Sequence, residues 1–98
     1  MFINIIDTYR FVVAICDENL IGKRFEEENS QLEIKENFYK GIKKSKEEIL
    51  QLISKMSAED ATFNIVGEES VTTAIESGIV SEDSIKRIGN IPYAMVLL

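Results

Sequence analysis

Asp17, Glu18 and the run Glu26-Glu27-Glu28 are the acidic residues whose grouping could hold a hard cation or move a proton. Carboxylate oxygens suit Mg²⁺, and paired acids suit general acid–base work. Acid runs in turns are also the ordinary solvated surface of a small protein, and magnesium sites need only one or two placed carboxylates beside a substrate. Cys16 stands next to the first pair. A nucleophilic thiol normally needs a partner base, and the sequence has no histidine. The adjacent Asp17 would raise the thiol pKa, so a packed core cysteine is the favoured reading. Gly67 precedes Glu68 and Glu69 where a strand gives way to a helix, and the N–H groups of such a junction can hold an anion. A single glycine is not the G-x-x-x-x-G-K-[ST] loop, and the two glutamates already supply negative charge. A tight turn with carboxylates of its own is the simpler expectation. The basic clusters are Lys23-Arg24, Lys40, Lys43-Lys44-Lys46 and Lys86-Arg87. Gathered on one face, with Tyr39 or Tyr93 for stacking, they would form a local nucleic-acid site. No RNA-binding motif accompanies them, which favours ordinary surface lysines.

The elements that must position these groups follow from the hydrophobic pattern. Phe2 to Ile6 and Phe11 to Cys16 are apolar, β-branched runs separated by Asp7-Thr8-Tyr9-Arg10, the pattern of a β-hairpin. The second run is apolar without alternation, which predicts a strand covered on both faces. Asp17 can cap a single helical turn that Gly22 ends with positive φ. Lys23 to Glu26 and Leu32 to Lys35 predict a second hairpin around the polar turn Glu27 to Gln31. Ser45-Lys46-Glu47-Glu48 is a capping box, and Ile49, Leu50, Leu52, Ile53 and Met56 follow at helical spacing. Thr62 to Val66 reads as a strand and Glu68 to Ser77 as a helix stopped in Schellman fashion at Gly78. Ser81 to Asp83 is a turn or short helix, Ser84 to Ile88 a strand, Gly89 to Pro92 a turn, and Tyr93 to Leu98 a final strand. Asn64 is the less expected residue inside an apolar strand; buried, it would need backbone partners or Asp17. This order of elements predicts an α+β fold. It would be a two-layer α–β sandwich, with a mostly antiparallel mixed sheet and two main helices on one face. A crossover between parallel strands would be right-handed.

The bulk numbers bound the function. The 98 residues suit one domain, residues 1–98, with no linker, repeat or low-complexity stretch. The apolar fraction of 45% and charged fraction of 29% are those of a globular protein, and the β-branched content argues against disorder. A net charge of −6 and a pI near 4.6 disfavour broad nucleic-acid binding. One cysteine allows no intrachain disulfide, which suits a reducing, cytoplasmic setting. No leader peptide and no membrane span are expected.

Three stretches occur together: Cys16-Asp17-Glu18-x-Leu20-x-Gly22-Lys23-x-Phe25, Asn64-Ile65-Val66-Gly67-Glu68, and Arg87-Ile88-Gly89-x-Ile91-Pro92-x-Ala94. In order and spacing they resemble the archaeal family catalogued as domain of unknown function 424, over nearly the whole chain. The resemblance implies an archaeal cytoplasmic protein with a small two-layer α–β fold and carries no catalytic residues. Members often have His where this chain has Tyr93, which argues mildly against catalysis. The polar residues of these stretches, Asp17, Glu18, Lys23, Asn64, Gly67, Glu68 and Arg87, are expected to converge as a binding rim at the strand ends. No catalytic residue, metal or cofactor is assigned. The leading expectation is a non-enzymatic binding or accessory module with a protein or RNA-associated partner, such as the translation machinery. The alternatives are a small-molecule or phosphate site at the rim, enzymatic or not, and a homodimer formed through the edge strand Tyr93 to Leu98.

Overall fold

The structure is a computed structural model that describes residues 1–97. Strands β1 (Phe2–Asp7) and β2 (Phe11–Cys16) form the expected hairpin, in register from Phe2↔Cys16 to Asp7↔Phe11. A 3-10 turn (Glu18–Leu20) leads to β3 (Arg24–Glu27) and β4 (Ser30–Glu33), which pair with each other as a separate two-stranded sheet. Then come α1 (Glu36–Tyr39), β5 (Ile42–Lys43), α2 (Lys46–Ala58), β6 (Thr62–Val66) and α3 (Glu68–Ser77). A second 3-10 turn (Glu82–Ser84), β7 (Lys86–Ile88) and β8 (Ile91–Val96) complete the order. The main sheet runs β5-β1-β2-β6-β8-β7, and β2 and β6 are its parallel pair. The fold is an α+β sandwich with a mixed, mostly antiparallel sheet.

Helices α2 and α3 lie on one face. Their Ile49, Ile53, Met56, Val71 and Ala74 close over Ile3, Val13, Ile15, Phe63 and Ile65. Fully burying side chains of this kind contributes about 1.5–3 kcal/mol each, so this layer carries most of the stability. A smaller second core lies on the opposite face. There Leu20, Ile34 and Tyr39 cover Ala14, Cys16 and Val66, with Phe25, Leu32, Phe38 and Tyr93 packed around them. The β3–β4 hairpin is therefore a partial third layer. It accounts for the uninterrupted apolar reading of β2, whose residues Val13 to Cys16 are buried.

Several boundaries move from the sequence reading, each for a local reason. Helix α1 and strand β5 were not anticipated. Strand β5 has only two residues and is placed by Gly41, where a Cβ would come within 2.1 Å of the Ile3 carbonyl oxygen. The polar turn of the second hairpin shrinks to Glu28-Asn29, because Ser30 and Gln31 pair with Glu27 and Glu26. Strand β7 starts at Lys86, because the Ile85 N–H bonds back to Glu82 and holds Ser84 in a turn. The turn expected over Gly89 to Pro92 shrinks to Gly89-Asn90, both with positive φ (56° and 68°), the geometry of a tight hairpin turn. Pro92 then lies within β8, where its carbonyl still accepts from Gly67 N. Gly78 ends α3 in the left-handed region, yet the Ile79 N–H bonds the Ser77 hydroxyl rather than the carbonyl a Schellman stop would use. Helix α3 joins β6 to β7, which run parallel with β8 between them, and the connection that contains α2 joins the directly paired parallel strands β2 and β6.

Candidate functional site

The parallel register of β2 and β6 sets the geometry of the expected rim. Cys16 lies opposite Val66, and the Asp17 N–H continues the ladder to the Val66 carbonyl at 3.1 Å. Asp17 is thereby carried alongside Gly67, the residue that precedes α3. Its carboxylate turns onto the helix start: Oδ2 accepts from Glu69 N at 3.1 Å, and Oδ1 accepts from Ser70 N at 2.8 Å and from Ser70 Oγ at 2.7 Å. These are the N–H groups that an N-cap side chain would satisfy. Gly67 has no side chain to do so, and its backbone (φ 109°, ψ 155°) is in a region nearly reserved for glycine. A Cβ built on Gly67 would lie 2.2 Å from Asp17 Cγ. The carboxylate of a residue fifty positions upstream occupies the space of the missing cap and faces the positive end of the helix.

The rim residues take up distinct places around this helix start. The expected anion position at the α3 N-terminus is filled, by Asp17 rather than by Glu68 and Glu69. Glu68 instead pairs outward with Arg87, 2.9 Å from Oε1 to Nη1, and the same guanidinium donates to the Asn90 carbonyl at 3.2 Å. Asp17, Gly67, Glu68 and Arg87 therefore do converge. Beside them lies a shallow groove of about 380 Å³, lined by Glu68, Val71, Thr72, Ile75, Glu82, Ile85 and Arg87. Glu18 turns away to Lys43 at 3.0 Å. Lys23 is exposed at the base of the β3–β4 hairpin, where its carbonyl accepts from Ile34 N. Asn64 lies on the opposite face of the sheet, half-buried between Ala14 and Met95, and makes no side-chain hydrogen bond to Asp17. The expected single rim divides into four places.

The Cys16 thiol and the Tyr39 phenol are held in their protonated forms. Cys16 is fully buried, its Sγ–H donates to the Asp17 carbonyl at 3.2 Å, and its pKa is raised to about 12, first by burial and then by Asp17. Tyr39, packed beside it, is pushed up to about 12 by burial and then by Cys16. Among the described residues no three Cys, Asp or Glu side chains gather as metal ligands. Glu26 of the acidic run pairs with Arg24 at 2.6 Å. The basic clusters are locally balanced: Lys40 pairs with Glu36, Lys43 with Glu18, Lys44 with Glu48, Lys46 with Glu76, and Arg87 with Glu68.

One surface has no counterpart in the sequence reading. The β3–β4 hairpin and α1 cover only the upper half of the second sheet face, with Asn4 Nδ2 donating to the Phe38 carbonyl at 2.8 Å at the boundary. Below that line Ile6, Val12, Thr62 and Asn64 are half-buried, and Met95 and Leu97 are 65% and 73% exposed. Ile6 and Val12 are paired neighbours that belong to neither core. These residues come from β1, β2, β6 and β8 and the residue after β8, and none is charged, in a chain with 29% charged residues. The continuous apolar run of β2 hid this patch, since Val12 reads like Ala14 in sequence.

Among the described residues no helix is long and apolar enough to cross a membrane. No curated protein matches the sequence. Among solved structures the chain is similar to an uncharacterized conserved protein from Methanopyrus kandleri, with a TM-score of 0.85 and 26% identity over 98% of this chain and 90% of that one. Residues 6–98 match the family described as "Protein of unknown function (DUF424)", and the chain belongs to that family.

Proposed function

We propose that this member of the DUF424 family is a non-enzymatic binding module of the archaeal cytoplasm, and that it docks a protein partner on the open half of its sheet. The observation that carries the reading is the uncharged patch of Ile6, Val12, Thr62, Asn64 and Met95 beside an otherwise charged surface. Exposed apolar patches of this kind mark interaction sites more than solvent-facing surface. Asn64 and Thr62 add hydrogen-bonding groups that would fix the orientation of a partner surface, as polar groups within an apolar interface do. A protein partner is favoured over RNA because the patch offers no cation to a phosphate, and the nearby lysines already face glutamates. Assembly with the translation machinery would be a protein contact of this kind. The archaeal setting is supported by the origin of the similar solved structure.

The test is a photo-crosslinking residue placed at Thr62, with Thr72 on the exposed side of α3 as control, in an archaeal host. Thr62 should give discrete protein adducts that survive ribonuclease, and Val12→Lys should abolish them while leaving the melting curve unchanged. Equal adducts from both positions, or adducts that ribonuclease removes, would reject the reading.

A further inference from the structure

The two edges of the main sheet are finished differently. At one end β5 caps β1 over Phe2 and Ile3 only, and lysines at positions 40, 43 and 44 stand along that edge. At the other end β7 pairs with Ile91, Pro92 and Tyr93 and then turns away. Among the described residues no strand pairs with the outer side of β8 beyond Tyr93. The segment from Gly78 to Ser84 runs beside this free stretch and leaves a groove of about 380 Å³ between itself and Met95, Val96 and Leu97. Natural sheets normally guard such an edge with charge, proline or a bulge. Here residues 91 to 98 and residues 77 to 81 contain no charged side chain, and Pro92 lies in the part already covered by β7.

We propose that the free edge of β8 is a self-association site, where the β8 strands of two copies pair antiparallel about a two-fold axis. This goes beyond the open-face reading and does not depend on it. The choice of a second copy rests on charge and on order. Each copy carries a net charge of −6, so two copies repel wherever their charged surfaces meet. The free stretch of β8 brings no charged side chain of its own to such a meeting, and Glu82 and Asp83 are the acids of the segment beside it. The groove needs an uncharged extended segment with apolar side chains at alternate positions, because strand addition draws affinity from main-chain hydrogen bonds and selectivity from side-chain pockets. The β8 strand is itself such a segment, already held extended by β6, so pairing orders no new chain. A two-fold axis at Val96 sets Val96 opposite its own copy and Met95 opposite Leu97 of the second copy, with no like charges facing each other. Side chains keep their faces in such a pair, so Val96 meets its copy on the side of Ile79 and Val80. Met95 and Leu97 meet on the open side. The two uncharged half-faces would then lie side by side on one extended sheet.

Sedimentation equilibrium of the native 98-residue chain, from micromolar to millimolar, tests this directly. The expected result is a reversible rise from 11.1 kDa toward twice that mass. Met95→Lys should weaken the dimer at least tenfold, whereas Ile42→Lys on the opposite edge should leave it unchanged. Mixing Met95→Lys with Leu97→Glu should restore a heterodimer, because the axis places those two side chains opposite each other. Val96→Cys should form a disulfide-linked dimer on oxidation, and the buried Cys16 should not take part. The proposal fails if the native chain stays monomeric throughout. It also fails if Ile42→Lys, and not Met95→Lys, disrupts the dimer. A dimer that Met95→Lys weakens but that Val96→Cys does not trap rejects the two-fold at Val96.

Discussion

Helices α2 and α3 lie side by side on the same face of the sheet, and their N-termini are secured in opposite ways. Helix α2 is capped from within. The Ser45 hydroxyl accepts from Glu48 N, and the Glu48 carboxylate accepts from Ser45 N at 3.0 Å. Helix α3 is capped from outside, by a carboxylate that reaches it only because β2 and β6 are parallel and in register. The first arrangement is four residues of sequence. The second exists only once a contact about fifty residues apart has formed. A local cap stabilises its own helix, whereas the Asp17 cap couples a helix start to the register of the central sheet.

The largest effect should come from closing the space at Gly67. Gly67→Ala places a methyl 2.2 Å from Asp17 Cγ and requires alanine to adopt φ 109°. The carboxylate must leave and the backbone must strain, a combined cost of about 3–5 kcal/mol. For a domain of this size each kcal/mol lowers the melting temperature by about 4–8 °C. Asp17→Ala should cost somewhat less, about 2–4 kcal/mol, because it leaves Ser70 Oγ and two helix N–H groups without their acceptor. The two sites share one volume, so the double variant Asp17→Ala with Gly67→Ala should be clearly more stable than the sum of the single losses predicts. Strict additivity in thermal unfolding would show that the two residues act independently, and the account of the outside cap would fall.

Alkaline titration sharpens the same contrast, because Cys16 and Tyr39 lie under the β2 end of the distant cap. Both groups hold their protons more tightly when folded, with pKa values raised to about 12 by burial. The unfolded chain therefore releases protons first, and folding stability should fall as pH rises above about 9, where an ordinary thiol ionises. Cys16→Ala should flatten that decline between pH 9 and pH 12 in urea-unfolding midpoints. An unchanged slope would show that the thiol ionises equally easily in both states. Cys16 should also be inert to thiol reagents until the protein is unfolded.

This contrast between local and distant contacts also marks what could be read from the sequence. The hairpin β1–β2, helices α2 and α3 and strand β6 were legible because their signals lie within a dozen residues. The convergence of Asp17, Gly67, Glu68 and Arg87 was legible from their positions at strand ends. The reason for it was not. Asp17 next to a 3-10 turn looks like a local cap, and only the pairing of β2 with β6 redirects it. Asn64 was misplaced for a related cause: alternation shows that it opposes Phe63 and Ile65, but which face the β3–β4 hairpin covers, and how far, depends on packing far along the chain. Strand β5 is two residues placed by a close approach at Gly41, with no pattern to detect.

The α2 cap should yield smaller effects. Ser45→Ala removes the acceptor for Glu48 N and should cost about 1 kcal/mol. The Ser45 N–H holds the Glu48 carboxyl below its ordinary pKa, with Lys44 assisting. That contribution is present above the unfolded pKa and is lost as pH falls through the folded one. If Ser45→Ala lets the cap fray, the acid-side decline in stability should become shallower along with the loss at neutral pH. The smallest change should come from Lys46, whose ammonium reaches Glu76 of α3 at 2.8 Å and is held more firmly protonated by it. Lys46 is the first residue of α2, where the helix dipole disfavours a cation. Lys46→Ala therefore removes one unfavourable and one favourable interaction, both exposed and screened by salt, and should move the melting temperature by less than about 2 °C. Lys46→Glu separates the two terms, because it improves the dipole while setting a like charge against Glu76. If the contact between helices outweighs the local one, Lys46→Glu is the less stable of the pair at low salt, and the difference disappears at about 1 M salt.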